Sequence, residues 1–213
     1  VVVWGWVVCG GQIYRMLTGL GLAFAPWAIC SKRGARVCCK TYSRWVFWSA
    51  RWMVGIRCEV RGTPPSGEAL IAAKHQSFLD IMMIFTALPT AKFIMKKEIL
   101  RTPVIGQYAK LLDCVAVARG KRGAAIQKMV ADVHAGRQEA GQLVIYSQGT
   151  RVAPGGQAEY KVGTRVLYEQ LHPTCVPGAT NVGLQSPRTA VMRRPGRAAA
   201  SVPTPPAPAQ GHR

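Results

Sequence analysis

A chain of 213 residues with 49% hydrophobic residues is long enough for one packed domain plus an anchor or a tail. Its 28 Lys and Arg against 9 Asp and Glu give a formal charge of +19, which calls for a polyanionic partner, either nucleic acid or an anionic membrane surface. All six tryptophans (Trp4, Trp6, Trp27, Trp45, Trp48 and Trp52) lie near the N-terminus, and no compact nucleic-acid motif carries its aromatics, so a membrane is expected and nucleic acid is not.

Residues 1–30 are apolar but interrupted by Gln12 and Arg15. The unbroken run from Met16 to Ile29 is short for a crossing, which takes about 20 residues. The pattern suits a shallow hairpin, or a spanning helix with a snorkelling Arg15. Lys32, Arg33, Arg36 and Lys40 follow, an excess that points to the cytoplasmic side. The spacing then predicts a helix over about 41–56. Trp45, Trp48 and Trp52 share one face of it, flanked by Arg44 and Arg51. That stripe fits either a membrane interface or the protein's own core. Seven cysteines without paired Cys/His spacing support neither a disulfide framework nor a zinc site, so no metal is expected.

Residues 62–68 read as a turn and a boundary. Beyond it, strand and helix patterns alternate: strand 69–73, helix 78–88, strand 91–95, and a helical stretch broken at Pro103 and Gly106. Strand 114–118, a helix carrying Ile126, Met129, Val130 and Val133, strand 143–146, helix 164–171 and strand 174–177 complete the series. The alternation predicts an α/β domain with a mixed sheet flanked by helices. From about Arg188 the chain is rich in Pro, Ala and Arg, a composition that predicts disorder. The expected division is a helical membrane anchor over 1–60, an α/β domain over 61–187 and a tail over 188–213.

The densest chemical signal is Lys74-His75-Gln76-Ser77-Phe78-Leu79-Asp80, between a strand and a helix. Residues five apart point away from each other within one helix or one strand. His75 and Asp80 can therefore meet only if His75 lies in the loop and Asp80 in the first helical turn. Ser77 as N-cap with Asp80 three residues on fits that arrangement. Asp80 would then hold the imidazole tautomer, and His75 would act as general base on a substrate hydroxyl. Tyr146 to Arg151 lies at another strand end. There Gly149 permits close backbone approach, and Thr150 and Arg151 can donate to phosphate. Arg119 closes a third apolar strand, and three such ends could form one anion-binding cleft.

These blocks resemble the 1-acylglycerol-3-phosphate acyltransferases of the glycerolipid acyltransferase superfamily. His75 and Asp80 match its His-x4-Asp block, and Arg119 matches the phosphate-binding Arg that ends the second. Tyr146 to Arg151 match the third, typically Phe-Pro-Glu-Gly-Thr-Arg, and Val176-Pro177 match the fourth. Lys97-Glu98 and Tyr160-Lys161-Gly163 also resemble family positions. Over about residues 40–183, the resemblance implies acyl transfer from acyl-CoA or acyl carrier protein to the sn-2 hydroxyl of lysophosphatidate, giving phosphatidate.

It further implies catalytic His75 and Asp80, and substrate binding by Lys97, Arg119, Gln148, Gly149, Thr150 and Arg151. No metal or prosthetic group is implied. The expected location is a membrane, with the active site facing the cytoplasm. Another lysolipid acceptor, or an inactive membrane-bound lipid-binding fragment, are the alternatives. Ser147, Gln148 and Gly178 depart from the usual Pro, Glu and apolar residue. Family members continue past the fourth block with further strands, so the Arg/Pro/Ala tail predicts an altered C-terminal end and an exposed sheet edge.

Overall fold

The computed structural model describes residues 30–117, 139–171, 174–187 and 193–203, together with 124, 127 and 131. The apolar segment 1–29, the helix expected around Ile126 to Val133 and Arg119 lie outside the described residues. Helix α1 (Lys32–Val54) starts earlier than the expected 41. The Ser31 hydroxyl accepts from Gly34 N at 2.9 Å and caps it. Strand β1 (Ile56–Arg61) follows at once. Helix α1 ends at Gly55, its C-cap, and Ile56 to Arg61 pair along their whole length with another strand.

The remaining elements are β2 (Ala69–Ala73), α2 (Phe78–Ala87), β3 (Ala91–Lys96), a 3-10 turn (Lys97–Arg101), α3 (Pro103–Leu111), β4 (Val115–Val117), β5 (Gln142–Tyr146), α4 (Gly163–Leu171), β6 (Cys175–Thr180) and β7 (Gly196–Ser201). Pro103 opens α3 rather than breaking a helix, since its missing N–H is no loss in a first turn. The seven strands form one sheet in the order β1-β7-β6-β2-β5-β3-β4. Strands β6, β2, β5, β3 and β4 run parallel, and β7 pairs parallel with β1 but antiparallel with β6. The result is the mixed sheet expected.

Strand β2 reads Ala-Leu-Ile-Ala-Ala because both of its faces are covered. Ala69, Ile71 and Ala73 face α1, α2 and α3, within a cluster that holds Ala35, Phe85, Phe93 and Tyr108. Leu70 faces the other way, with Leu143, Ile145, Val115 and Val117, against Leu167 of α4. Gly178, where the resemblance leads one to expect an apolar side chain, has a packing reason. A Cβ there would sit 2.9 Å from the Ala73 Cβ on β2, so only glycine lets β6 approach this closely.

The tail expectation fails over residues 196–201. Ala198 and Ala200 are 0% and 1% exposed, packed with Ala50, Val54, Leu79 and Met83. Low apolar bulk suggested disorder, but alanines suit a strand pressed under two helices, and its backbone groups are paired on both sides. The strand also covers the β6 edge that the altered C-terminus seemed to leave open. If β7 is part of the core, Ala198→Glu buries an unpaired charge and lowers unfolding stability by about 3 kcal/mol or more. Urea denaturation measures this, and a disordered tail would show no change.

Candidate active site

Five parallel strands aim their carboxyl ends at one edge of the sheet, where loops from different parts of the chain meet. His75 lies in the loop after β2, and Asp80 is the third residue of α2. His75 Nδ1 is 2.9 Å from Asp80 Oδ1. The other carboxylate oxygen, Oδ2, accepts from Gln76 N at 2.7 Å and Ser77 N at 2.8 Å. The Ser77 bond is the carboxylate half of a capping box, so the sequence that starts the helix also orients the acid. Asp80 is 0% exposed, whereas the His75 side chain retains 13%. A carboxylate has no proton to offer, so Nδ1 carries the hydrogen and Nε2 presents a lone pair.

The loop after β5 fixes the imidazole from the other side. Val152 N donates to the His75 carbonyl at 2.8 Å. The Tyr146 ring stacks on the imidazole with centroids 4.2 Å apart, and its hydroxyl reaches Asp80 Oδ1 at 3.3 Å. Burial, and then the charge of Asp80, push the Tyr146 phenol well above its usual value, so it stays a neutral donor. Ser77 is tied away from the imidazole, since its hydroxyl lies 2.9 Å from that of Ser186. Arg193 donates to the same Ser186 hydroxyl, which links the segment before β7 to the His75 loop. The Gln76 side-chain oxygen accepts from Gly183 N at 2.9 Å, a second tie between these loops.

The candidate anion ligands divide into groups. Gly149 has φ 65°, a left-handed turn conformation that glycine adopts freely, with the Lys161 side chain lying across it. Thr150 and Arg151 are exposed beside it. Gln148 is 5% exposed, and its side-chain amide donates to the Ala158 carbonyl at 3.4 Å. Lys97 is exposed at the carboxyl end of β3, two strands across from β2. Arg119 lies outside the described residues, beyond the end of β4.

Ser186 and Arg193 are neighbours that sequence reasoning did not place at the site, whereas Tyr146 and Lys161 stood in blocks it singled out without giving either a role. Three thiols are held protonated by burial, which pushes Cys39 up to about 12 and Cys58 and Cys114 up to about 11.

An imidazole–carboxylate pair thus lies at the carboxyl edge of a parallel sheet, beside a loop bearing cations. The acyltransferase family model matches residues 56–181, and the chain belongs to that family. It is 25% identical over 159 residues to the 1-acyl-sn-glycerol-3-phosphate acyltransferase of Pseudomonas aeruginosa, covering 74% of this chain and 62% of that protein. It is 28% identical over 162 residues to the human 1-acyl-sn-glycerol-3-phosphate acyltransferase alpha, covering 74% and 57%. The chain thus spans about 60% of the length of these relatives. The crystal structure of the 1-acyl-sn-glycerophosphate acyltransferase of Thermotoga maritima shares the fold, with a TM-score of 0.65 at 16% identity, over 98% of this chain and 82% of that one.

Removing the carboxylate should be felt by the whole loop. Asp80→Ala strands the Gln76 and Ser77 N–H groups and the Tyr146 hydroxyl, and is expected to lower unfolding stability by about 3 kcal/mol. Asp80→Asn, which keeps an acceptor, should recover part of that loss in the same denaturation experiment.

Proposed function

We propose that the protein transfers an acyl group from acyl-CoA, or from acyl carrier protein, to the sn-2 hydroxyl of 1-acyl-sn-glycerol-3-phosphate, forming phosphatidate. The single observation that carries this reading is the His75–Asp80 contact, which leaves the imidazole Nε2 as a lone-pair base. Nε2 takes the proton of the lysolipid hydroxyl, and the oxygen attacks the thioester carbonyl. The tetrahedral intermediate collapses with loss of the C–S bond, and the thiolate leaves with the proton held by the imidazole. Asp80 holds the ring and offsets its transient charge without taking the proton.

Lys97 and Arg151, with Arg119, supply cations for the glycerol phosphate. The overall charge of +19 suits acidic acceptor, acidic donor and anionic lipid alike. No metal or prosthetic group enters this scheme. In vesicles or detergent, His75→Ala should reduce phosphatidate formation about a hundredfold or more, read by thin-layer chromatography of labelled acyl donor. Wild-type turnover in that variant would refute the base assignment.

Membrane attachment through α1 belongs to the same reading. Among the described residues no helix is long and apolar enough to cross a membrane. On α1, however, Trp48 and Trp52 are 61% and 71% exposed. Val37, Arg44 and Arg51 lie along the same exposed stripe, a pattern suited to an interface with anionic lipid. The active site would then face the leaflet that carries the lysolipid, on the cytoplasmic side. Replacing Trp48 and Trp52 together by Ser should weaken cosedimentation with phosphatidylglycerol-containing vesicles about tenfold or more. Unchanged binding would assign the contact to another part of the chain.

A further inference from the structure

Asp80 Oδ1 is shared. It accepts hydrogen bonds from His75 Nδ1–H at 2.9 Å and from the Tyr146 hydroxyl at 3.3 Å, on the same oxygen. A second donor draws charge from that oxygen and leaves less of it to stabilise an imidazolium. Tyr146 also fixes the imidazole plane, with rings 4.2 Å apart and 21° from parallel. Tyr146 is in turn held by Phe93, at 6.2 Å between ring centroids. The ring function needs only a benzene ring, which the Phe usual at this position supplies. The hydroxyl is what this chain adds.

We propose that Tyr146 is a positioning residue whose hydroxyl competes with His75 for Asp80 and thereby keeps the imidazole a weaker base than the two-residue pair alone would make it. The proposal rests on His75 being the base, but its key measurement does not. At 3.3 Å the bond is long for O–H···O, so its effect is a fraction of that of the 2.9 Å contact.

Among the described residues, the segments tied to the His75 loop carry cations: Lys74 beside it in the chain, Arg151 and Lys161 on the loop after β5, and Arg193, which donates to Ser186. The thiols Cys38 and Cys39 and the phenol Tyr108 share the apolar cluster on which Tyr146 packs. All of these are unchanged when residue 146 is replaced, so a difference between Tyr and Phe there isolates the hydroxyl.

Tyr146→Phe keeps the stacked ring and removes the bond to Asp80. Its expected effect is a rise of about half a unit in the pH at which the His75 imidazole titrates, from the usual worth of one weak hydrogen bond. The titration is read by NMR on full-length protein in detergent with 15N-labelled histidine, His75 being assigned by the signal lost in His75→Ala. The acid limb of kcat/KM should move to higher pH by the same amount. A melting temperature within a few degrees of the parent establishes that Tyr146→Phe is folded.

If the imidazole in Tyr146→Phe titrates where it does in the parent, the hydroxyl only fills space and the proposal is overturned. A downward shift overturns it too. If the titration rises while His75→Ala retains transfer, the competition for Asp80 stands and the base assignment falls instead.

Discussion

The carboxylate of Asp80 is the point on which the site depends. It is wholly buried and accepts from two backbone N–H groups, one imidazole and one phenol. An isolated carboxylate would not be tolerated there, since burying an ion without partners costs several kcal/mol. Four donors make the burial sustainable, and they come from two places: His75, Gln76 and Ser77 in the 74–77 loop, and Tyr146 at the end of β5. The same atoms that stabilise the charge fix the loop, start α2 and set the tautomer of His75. Local folding and the orientation of the His75 imidazole are one requirement here.

That requirement is met by topology as much as by local sequence. The residues around Asp80 are brought together because β2, β5 and β6 run parallel and release their loops at one edge. The loop after β5 reaches back through the Val152 N–H to the His75 carbonyl, and the 182–186 segment reaches in through Gly183 and Ser186. Arg193, on the way into β7, closes the ring through Ser186. The C-terminal strand is thus coupled to the site: it fills the gap between β1 and β6, and its leading segment braces the hydroxyl pair behind the imidazole loop.

Much of this was legible in the sequence where short-range chemistry decides it. The His75–Asp80 meeting followed from angular spacing and an N-cap, and β2 from a run of small and branched apolar residues between turn signals. What escaped detection was what neighbours decide. Gly196 to Ser201 has neither alternation nor bulk. Its order comes from backbone pairing on two sides and from helices close enough to bury alanine. That the Gln148 amide donates to the Ala158 carbonyl is likewise set by a neighbouring loop, not by the Gly-Thr-Arg turn it precedes. Tyr146 read as a stand-in for Phe, since nothing along the chain says that its hydroxyl ends beside a carboxylate 66 positions earlier. The early start of α1 was hidden by its basic first turns, whose long side chains can lie along a surface without breaking a helix.

Acyl transfer can run through an acylated enzyme side chain or by direct attack, and the positions of the candidate nucleophiles bear on which. Ser77 is the hydroxyl nearest His75 in sequence, and a Ser-His-Asp arrangement would need its oxygen against Nε2. Its oxygen instead faces Ser186, and its backbone N–H is spent on Asp80. Cys39, Cys58 and Cys114 are held as neutral thiols by burial, which removes the thiolate that a thioester intermediate would require. Ser77 and these three thiols are thus not placed as nucleophiles, which fits the proposed direct attack by an acceptor hydroxyl with the imidazole carrying one proton from hydroxyl to departing thiolate.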